Sequence, residues 1–310
     1  MNIHKKFFSK IGINYLVYAI LTIILQIIII NIAGVLNLTL INNLNSLTII
    51  SAICNYVLPF PILIYLMKKL DSQKPEKQEL SIKKFLTYLA ITITLMWIGN
   101  IIGLIITSII SFFTPLDVIN PVQTLINSTD IWLNLLLISI IGPIFEEILF
   151  RKLLIDRTIK YGAKVSILLS SLIFGLIHGN LNQFFYAFLL GGFFAYVYIK
   201  TGKLKYTILL HIIVNLMGSV VSLFVGKSVE NMISGPMQPF DLSIVIIYLA
   251  IILVSFLIGA LKLYRHKNIN LENLCEKITL SKPFKTIIIN PGMILFIGFC
   301  ILIMMHQILG

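Results

Sequence analysis

Residues 131–151 read IWLNLLLISIIGPIFEEILFR, an apolar run that ends in two adjacent glutamates and an arginine. A run of this length is typical of a membrane-spanning helix, which needs about 20 apolar residues. An ionisable side chain at membrane depth costs at least about 2.5–3.5 kcal/mol on insertion scales, so Glu146 and Glu147 need a specific reason to be there. Gly142 and Pro143, just before the pair, predict a kinked or widened helix with room beside the two carboxyl groups.

The chain as a whole is also strongly apolar. Of its 310 residues, 58% are hydrophobic and 12% are charged, whereas about 25% of the residues of a soluble domain are charged. The mean hydropathy over the whole length is +0.99. We therefore predict an all-α, polytopic bundle of transmembrane helices whose apolar surface faces the lipid bilayer or other helices.

Nine apolar runs are candidate spans. The fifth run is short, so the sequence predicts eight or nine membrane helices. The first run follows a basic start, as in a signal peptide, but it is too long for that and further spans follow, so we expect it to stay attached. The runs cover residues 11–36, 48–67, 85–113, 131–150, 165–179, 181–199, 207–226, 243–264 and 287–308.

The positive charge is concentrated in every second loop, which predicts a cytoplasmic N-terminus for a multi-pass protein of the cell membrane. The net charge of +12 therefore reflects membrane topology, and we expect no nucleic-acid partner. The basic segments are the N-terminus and residues 68–84, 151–164, 200–206 and 265–286.

Polar side chains interrupt two further apolar runs. His178 ends the run SLIFGLIHGN, and His211 lies in YTILLHIIVNLMG, with Asn215 one turn later. Taken singly, such residues are typical of a membrane interface or of hydrogen bonds between helices, and Glu147 with Arg151 is typical of an interfacial ion pair. Taken together, they favour a shared wet cavity, because these groups avoid lipid.

A helical hairpin predicts the depth of two of these groups. If the fourth helix continues to a turn at Gly162, then Glu146 and His178 each lie sixteen residues from that turn. At a rise of about 1.5 Å per residue, both are about 24 Å away from it. In an antiparallel pair of helices they would therefore face each other at one level.

Three motifs, in this order, resemble those of the CPBP membrane proteins. This family comprises the CAAX prenyl endopeptidases and the bacteriocin-processing (Abi) or immunity proteins of bacteria. The pattern EExxxR matches Glu146, Glu147 and Arg151, FxxxH matches Phe174 and His178, and HxxxN matches His211 and Asn215. The resemblance covers about residues 130–218. It divides the chain into N-terminal transmembrane helices (1–127), a catalytic core of the CPBP/CAAX-protease type (128–218) and C-terminal transmembrane helices (219–310).

The resemblance implies an intramembrane endopeptidase that acts on a membrane-associated or lipidated peptide or membrane protein. Glu146 would be the general base and, with His178, would hold and activate a water molecule. His211 and Asn215 would stabilise the oxyanion of the tetrahedral intermediate.

The other motif residues would support this site. The resemblance implies that Glu147 and Arg151 form a structural pair that holds the motif helix. It further implies that Phe174 shapes the cavity.

Zinc is the alternative chemistry. Two histidines and a glutamate (His178, His211 and Glu146) can bind Zn²⁺ with an open position for water, and Glu147 would then be the base. The family favours the metal-independent glutamate mechanism, so we expect no cofactor.

Two other functions remain open at the level of sequence. One is a non-enzymatic membrane protein of the bacteriocin-immunity or scaffold type that keeps the motifs for structure. The other is a transporter with a glutamate–histidine proton relay. Transporters usually show repeats or broken helices in matched halves, and the sequence shows none.

Overall fold

The computed structural model describes residues 2–36, 39–114, 120–265 and 278–309. The described residues form helices and turns without a strand, which confirms the predicted all-α membrane bundle. Eight of these helices are long and apolar enough to cross a membrane: α1 (Ile3–Val35), α2 (Leu44–Lys68), α3 (Ile82–Phe113), α5 (Ile131–Tyr161), α7 (Leu181–Thr201), α8 (Leu204–Ser234), α9 (Pro239–Arg265) and α11 (Pro291–Leu309). The shorter helices are α4 (Pro121–Ser128), α6 (Ala163–Ile177) and α10 (Pro283–Ile287), and a 3₁₀ turn covers Thr39–Asn42.

The short helix α6 accounts for the fifth apolar run. Its 15 residues reach about 22 Å, whereas the hydrocarbon core of a bilayer is about 30 Å thick. Of the two predicted counts of spanning helices, the lower one is therefore correct for the described residues. His178 caps the C-terminal end of α6, and because this helix is shorter than the hydrocarbon core, we expect His178 to lie below the membrane surface.

The fourth apolar run continues as a helix beyond the predicted span. The span was predicted to cover residues 131–150, and α5 extends to Tyr161 with 31 residues, which confirms the continuation to Gly162 that the hairpin prediction assumed. Gly162 then turns the chain with a φ of 102°. Glu146 is the sixteenth residue of α5, so the glutamate pair lies in the middle of a spanning helix, and the interfacial interpretation of the pair is wrong.

The ends of several helices meet on one basic face. The loop after α2 connects two of them, because the Gln73 N–H donates to the Asp156 carbonyl (2.5 Å) and the Gln78 N–H donates to the Thr201 carbonyl (2.8 Å). These contacts place the C-terminal ends of α2, α5 and α7 together. By the positive-inside rule, we predict that this face is cytoplasmic.

Small residues let the helices around the site approach closely. A Cβ atom at Gly12 of α1 would lie 2.4 Å from the backbone of Gly292 in α11, and one at Gly99 of α3 would lie 2.3 Å from the Cα of Tyr186 in α7. Glycine is common at such crossings of membrane helices because it allows backbone contact. The largest buried cluster, which includes Tyr15, Phe150 and Phe174, then fills the space between α1, α5, α6 and α11.

Candidate active site

Wide π-type turns interrupt the helices that surround the predicted site. They cover Ile53–Val57 in α2, Asn134–Ile141 and Ile148–Leu153 in α5, and Met217–Val221 in α8. Such turns are rare and often occur at functional sites, because they leave backbone groups free and redirect side chains. The widened helix predicted from Gly142 and Pro143 is the second of these turns.

The turn before Pro143 creates a partner for Asn215. The N–H of Gly142 donates to the Leu137 carbonyl, five residues back, and Pro143 has no N–H to continue the pattern. The Ile138 carbonyl therefore receives no hydrogen bond from the backbone of residue 142 or residue 143. It accepts one from Asn215 Nδ2 instead, at 2.9 Å. One N–H of the amide fixes the side chain, and the second is left for another acceptor.

The Glu146 carboxylate lies between two different partners. Its Oε1 accepts a hydrogen bond from the hydroxyl of Tyr56 at 3.0 Å. Its Oε2 lies 3.7 Å from Nε2 of His211, which exceeds hydrogen-bond distance. Oε2 can therefore accept a proton from a third group.

Glu147 points to the opposite edge of the same imidazole. The residue is fully buried, and its Oε1 lies 3.0 Å from Nδ1 of His211. A carboxylate at this position selects the tautomer in which Nδ1 carries the proton. Nε2 of His211 is thereby directed toward Glu146.

Arg151 balances the buried charge of Glu147. Its Nε lies 3.1 Å from Glu147 Oε2, and its Nη1 donates to Ser170 Oγ at 3.0 Å. The guanidinium carbon lies 4.7 Å from the centre of the Phe174 ring, within the range of a cation–π contact. Buried charges need such pairing, because unpaired ones are costly.

Phe174 stands between the two histidines. The centre of its ring lies 4.8 Å from that of His178 and 5.8 Å from that of His211, and both contacts are edge-to-face. Nδ1 of His178 lies 2.6 Å from the Phe174 carbonyl oxygen, so it donates to that carbonyl. A Cβ atom at Gly191 would lie 2.9 Å from the ring, so glycine there makes room for it.

One cavity of about 570 Å³ lies against these groups, a volume within the range of ligand pockets. The structure brings together all four residues predicted to be catalytic, since the cavity wall includes Glu146, His178, His211 and Asn215. Uncharged side chains, including some from α1, α2, α4, α7 and α11, form the rest of the wall.

The sequence analysis missed two features of the site. Tyr56 lies outside the motif region, in a run whose composition gives no sign of it. The sequence predicts Glu147 as the partner of Arg151, or as the base of a zinc site, but not as a partner of His211. That contact joins residues 64 positions apart, a separation without a local signal.

The predicted zinc ligands do not form a metal site in this geometry. No group of three or more His, Cys, Asp or Glu side chains in the described ranges could hold a metal ion. We therefore derive no catalytic step through a metal.

Comparison with known proteins identifies the segment that carries these groups. Residues 128–217 match the family model of the type II CAAX prenyl endopeptidases, Rce1-like, which confirms the resemblance predicted from the three motifs. The protein YdiL of Bacillus subtilis (strain 168), named as a candidate membrane peptidase, is 36% identical over 87 residues, 27% of this chain and 34% of YdiL. The chain thus spans about a third of that relative. No solved structure matches significantly.

Proposed function

Because residues 128–217 match the Rce1-like family of type II CAAX prenyl endopeptidases, we propose that this chain is an intramembrane endopeptidase of the glutamate type. Its substrate is a membrane protein or a membrane-associated or lipidated peptide. The observation that carries the proposal is the position of the Glu146 carboxylate, 3.7 Å from the His211 imidazole on the wall of a cavity at membrane depth.

In the first step, Glu146 Oε2 and His178 hold a water molecule beside the scissile carbonyl. Glu146 takes a proton as the water oxygen bonds to the carbonyl carbon. The carbonyl π electrons move to oxygen, and the resulting oxyanion accepts hydrogen bonds from the free N–H of Asn215 and from His211 in its protonated form.

In the second step, the proton on Glu146 passes to the peptide nitrogen. The carbonyl re-forms as the C–N bond breaks, so the products are a carboxylic acid and an amine. No oxidant or further reactant is consumed. His211 suits its role because the Glu147 carboxylate faces its Nδ1 and so directs Nε2 into the site, as a buried carboxylate does in other acid–base pairs.

The proposal is tested by comparing membranes from cells that contain the wild-type chain with membranes that contain Glu146→Ala. Quantitative mass spectrometry of protein N-termini would measure cleavage. We expect one or more substrates to accumulate uncut with Glu146→Ala, His178→Ala or His211→Ala, while the amount of folded protein is unchanged.

Glu230→Ala is the matched control, because Glu230 is an exposed carboxylate outside the site. Identical N-termini with the wild-type chain and with all three variants would overturn the proposal. That result, combined with a retained protective phenotype, would instead support the immunity-protein alternative.

A further inference from the structure

We infer that Tyr56 is a positioning residue that orients the catalytic carboxylate of Glu146, so that the N-terminal helices contribute to the site. The inference rests on the proposed function. It adds a residue from outside the segment 128–217 that matches the family. Within the described part of the chain, Tyr56 supplies the hydrogen bond to Glu146, at 3.0 Å.

The bond fixes one oxygen and thereby directs the other. A glutamate side chain has several rotatable bonds, and a free carboxylate would sample many orientations. With Oε1 held by Tyr56, Oε2 is directed toward Nε2 of His211. A general base must keep such an orientation within a few tenths of an ångström to work at full rate.

The tyrosine ring is itself held by packing. It stacks on Phe145 with ring centres 5.4 Å apart and planes 27° from parallel, and Phe60 contacts the other edge of Phe145 at 4.8 Å. Phe145 precedes Glu146 in the chain. The tyrosine therefore binds the catalytic helix through both its ring and its hydroxyl.

The local sequence of α2 explains how the hydroxyl reaches the site. The N–H of Leu58 donates to the Ile53 carbonyl, five residues back, and Pro59 has no N–H for the Asn55 carbonyl. That carbonyl accepts a hydrogen bond from the hydroxyl of Tyr18 at 2.6 Å. Helix α1 thus supports the wide turn that carries Tyr56.

Gly142 provides the space for this contact. A Cβ atom there would lie 3.1 Å from the Tyr56 hydroxyl and 3.2 Å from the Leu137 carbonyl oxygen. The hydroxyl would have to shift to admit a methyl group. Gly142→Ala therefore offers a second way to disturb the bond without altering Tyr56.

The test is a double-mutant cycle with Tyr56→Phe, Gly142→Ala and the double variant, in full-length protein reconstituted in liposomes. Tyr56→Phe keeps the stacked ring and removes the hydroxyl. We expect kcat to fall about 10- to 100-fold, as for the loss of one hydrogen bond to a charged group, with KM unchanged because the Tyr56 hydroxyl is engaged with Glu146 and not with the substrate in this proposal. Gly142→Ala should have little further effect in the Tyr56→Phe background.

Two controls separate positioning from a general loss of structure. Tyr65→Phe removes an exposed hydroxyl from the same helix and should leave kcat unchanged. The unfolding temperature of Tyr56→Phe should stay close to that of the wild type. The inference would be overturned if Tyr56→Phe kept the wild-type kcat. It would also be overturned if the fold-decrease in kcat of the double variant equalled the product of the decreases of the two single variants.

A second readout does not depend on cleavage. A free carboxyl oxygen adds to the central carbon of a membrane-permeant carbodiimide as a proton moves to a carbodiimide nitrogen. Mass spectrometry of the labelled peptide would give the rate of this reaction at Glu146. We expect faster labelling in Tyr56→Phe than in the wild type or in Tyr65→Phe. If the wild-type chain cleaves nothing but this difference is found, the proposed function fails and the contact stands; equal labelling overturns the contact.

Discussion

Glu147 and His211 form a buried hydrogen bond of 3.0 Å between Oε1 and Nδ1. The second oxygen of the same carboxylate pairs with Arg151. One side chain therefore has two tasks: it fixes the tautomer of His211, and it neutralises a buried guanidinium.

The two tasks can be separated by substitution. Glu147→Gln should destabilise the fold by about 3–5 kcal/mol, because it leaves the charge of Arg151 buried without its counter-ion. In the double variant Glu147→Gln, Arg151→Met, both charges are gone and the unfolding temperature should recover. Activity should stay low, because no carboxylate then holds the ring of His211 through Nδ1. Recovery of both properties would show that Glu147 acts only through Arg151.

The hydrogen bond between Asn215 and the Ile138 carbonyl gives a prediction for Pro143. Pro143→Ala supplies the N–H that is missing from the wide turn, and this N–H competes with Asn215 for the carbonyl. We expect peptide cleavage to fall toward the level of Asn215→Ala, whereas the unfolding temperature should not fall. Pro239→Ala, at the start of α9, is the control. Unchanged cleavage by Pro143→Ala would mean that the orientation of Asn215 does not depend on this turn.

The packing of Phe174 against Gly191 predicts a steric effect. Gly191→Ala places a methyl group 2.9 Å from the ring, so the ring must move and the two histidines must shift with it. Cleavage should fall at least about tenfold, since small displacements of catalytic groups are costly. Gly226→Ala, where a Cβ atom meets nothing within 4 Å, should be neutral. Equal activity of the two variants would contradict this role of Phe174.

The contact of the Glu79 carboxyl with α8 on the basic face should depend on pH. Hydrogen bonds from Lys203, Tyr206 and Lys205 lower the pKa of the Glu79 carboxyl from an ordinary 4.5 to about 2. A lowered pKa stabilises the folded loop above about pH 4.5, and this stabilisation is lost as the pH falls through about 2.

Hydrogen exchange of residues 70–81 would measure this contact. Wild-type protection should decline only below about pH 4.5, whereas Glu79→Gln should already be less protected at neutral pH. High salt should reduce the difference, because the ion pairs are exposed. Equal protection of Glu79→Gln and Glu76→Gln, a change in the same loop, would show that the contact does not order the loop.

Metal removal tests the zinc alternative. We expect protein treated with a chelator to hold no stoichiometric metal and to keep its full rate of cleavage, since the described residues include no group of three side chains that could hold a metal ion. Elemental analysis and an activity assay on the same sample provide the measurement. Activity that is lost with the metal and restored by Zn²⁺ would overturn the glutamate mechanism.

Part of this arrangement could be read from sequence because it depends on local patterns. Runs of apolar residues predicted the helices, and the positions of Glu146 and His178 relative to Gly162 predicted that they lie at one depth. The pairing of Glu147 with Arg151 follows from a spacing of one helical turn.

The remainder depends on distant contacts and on irregular backbone. Nothing around Tyr56 distinguishes it from other aromatic residues in apolar runs, and its role depends on where α2 packs. The hydrogen bond between Asn215 and the Ile138 carbonyl depends on a helical turn in which the backbone hydrogen bond joins residues five apart instead of four. Gly142 and Pro143 predicted some irregularity there, but not which carbonyl would be left free.

The shortness of α6 has a consequence for which peptide bonds are within reach. Helix α6 fixes the distance of His178 from the basic face at about 22 Å. The distance from His178 to the opposite surface of the bilayer, by contrast, changes with the lipid composition. In a thicker membrane, the added hydrocarbon therefore lies beyond the histidine. The distance of a peptide bond from the basic face would then decide whether it is cut, whatever the thickness of the host membrane.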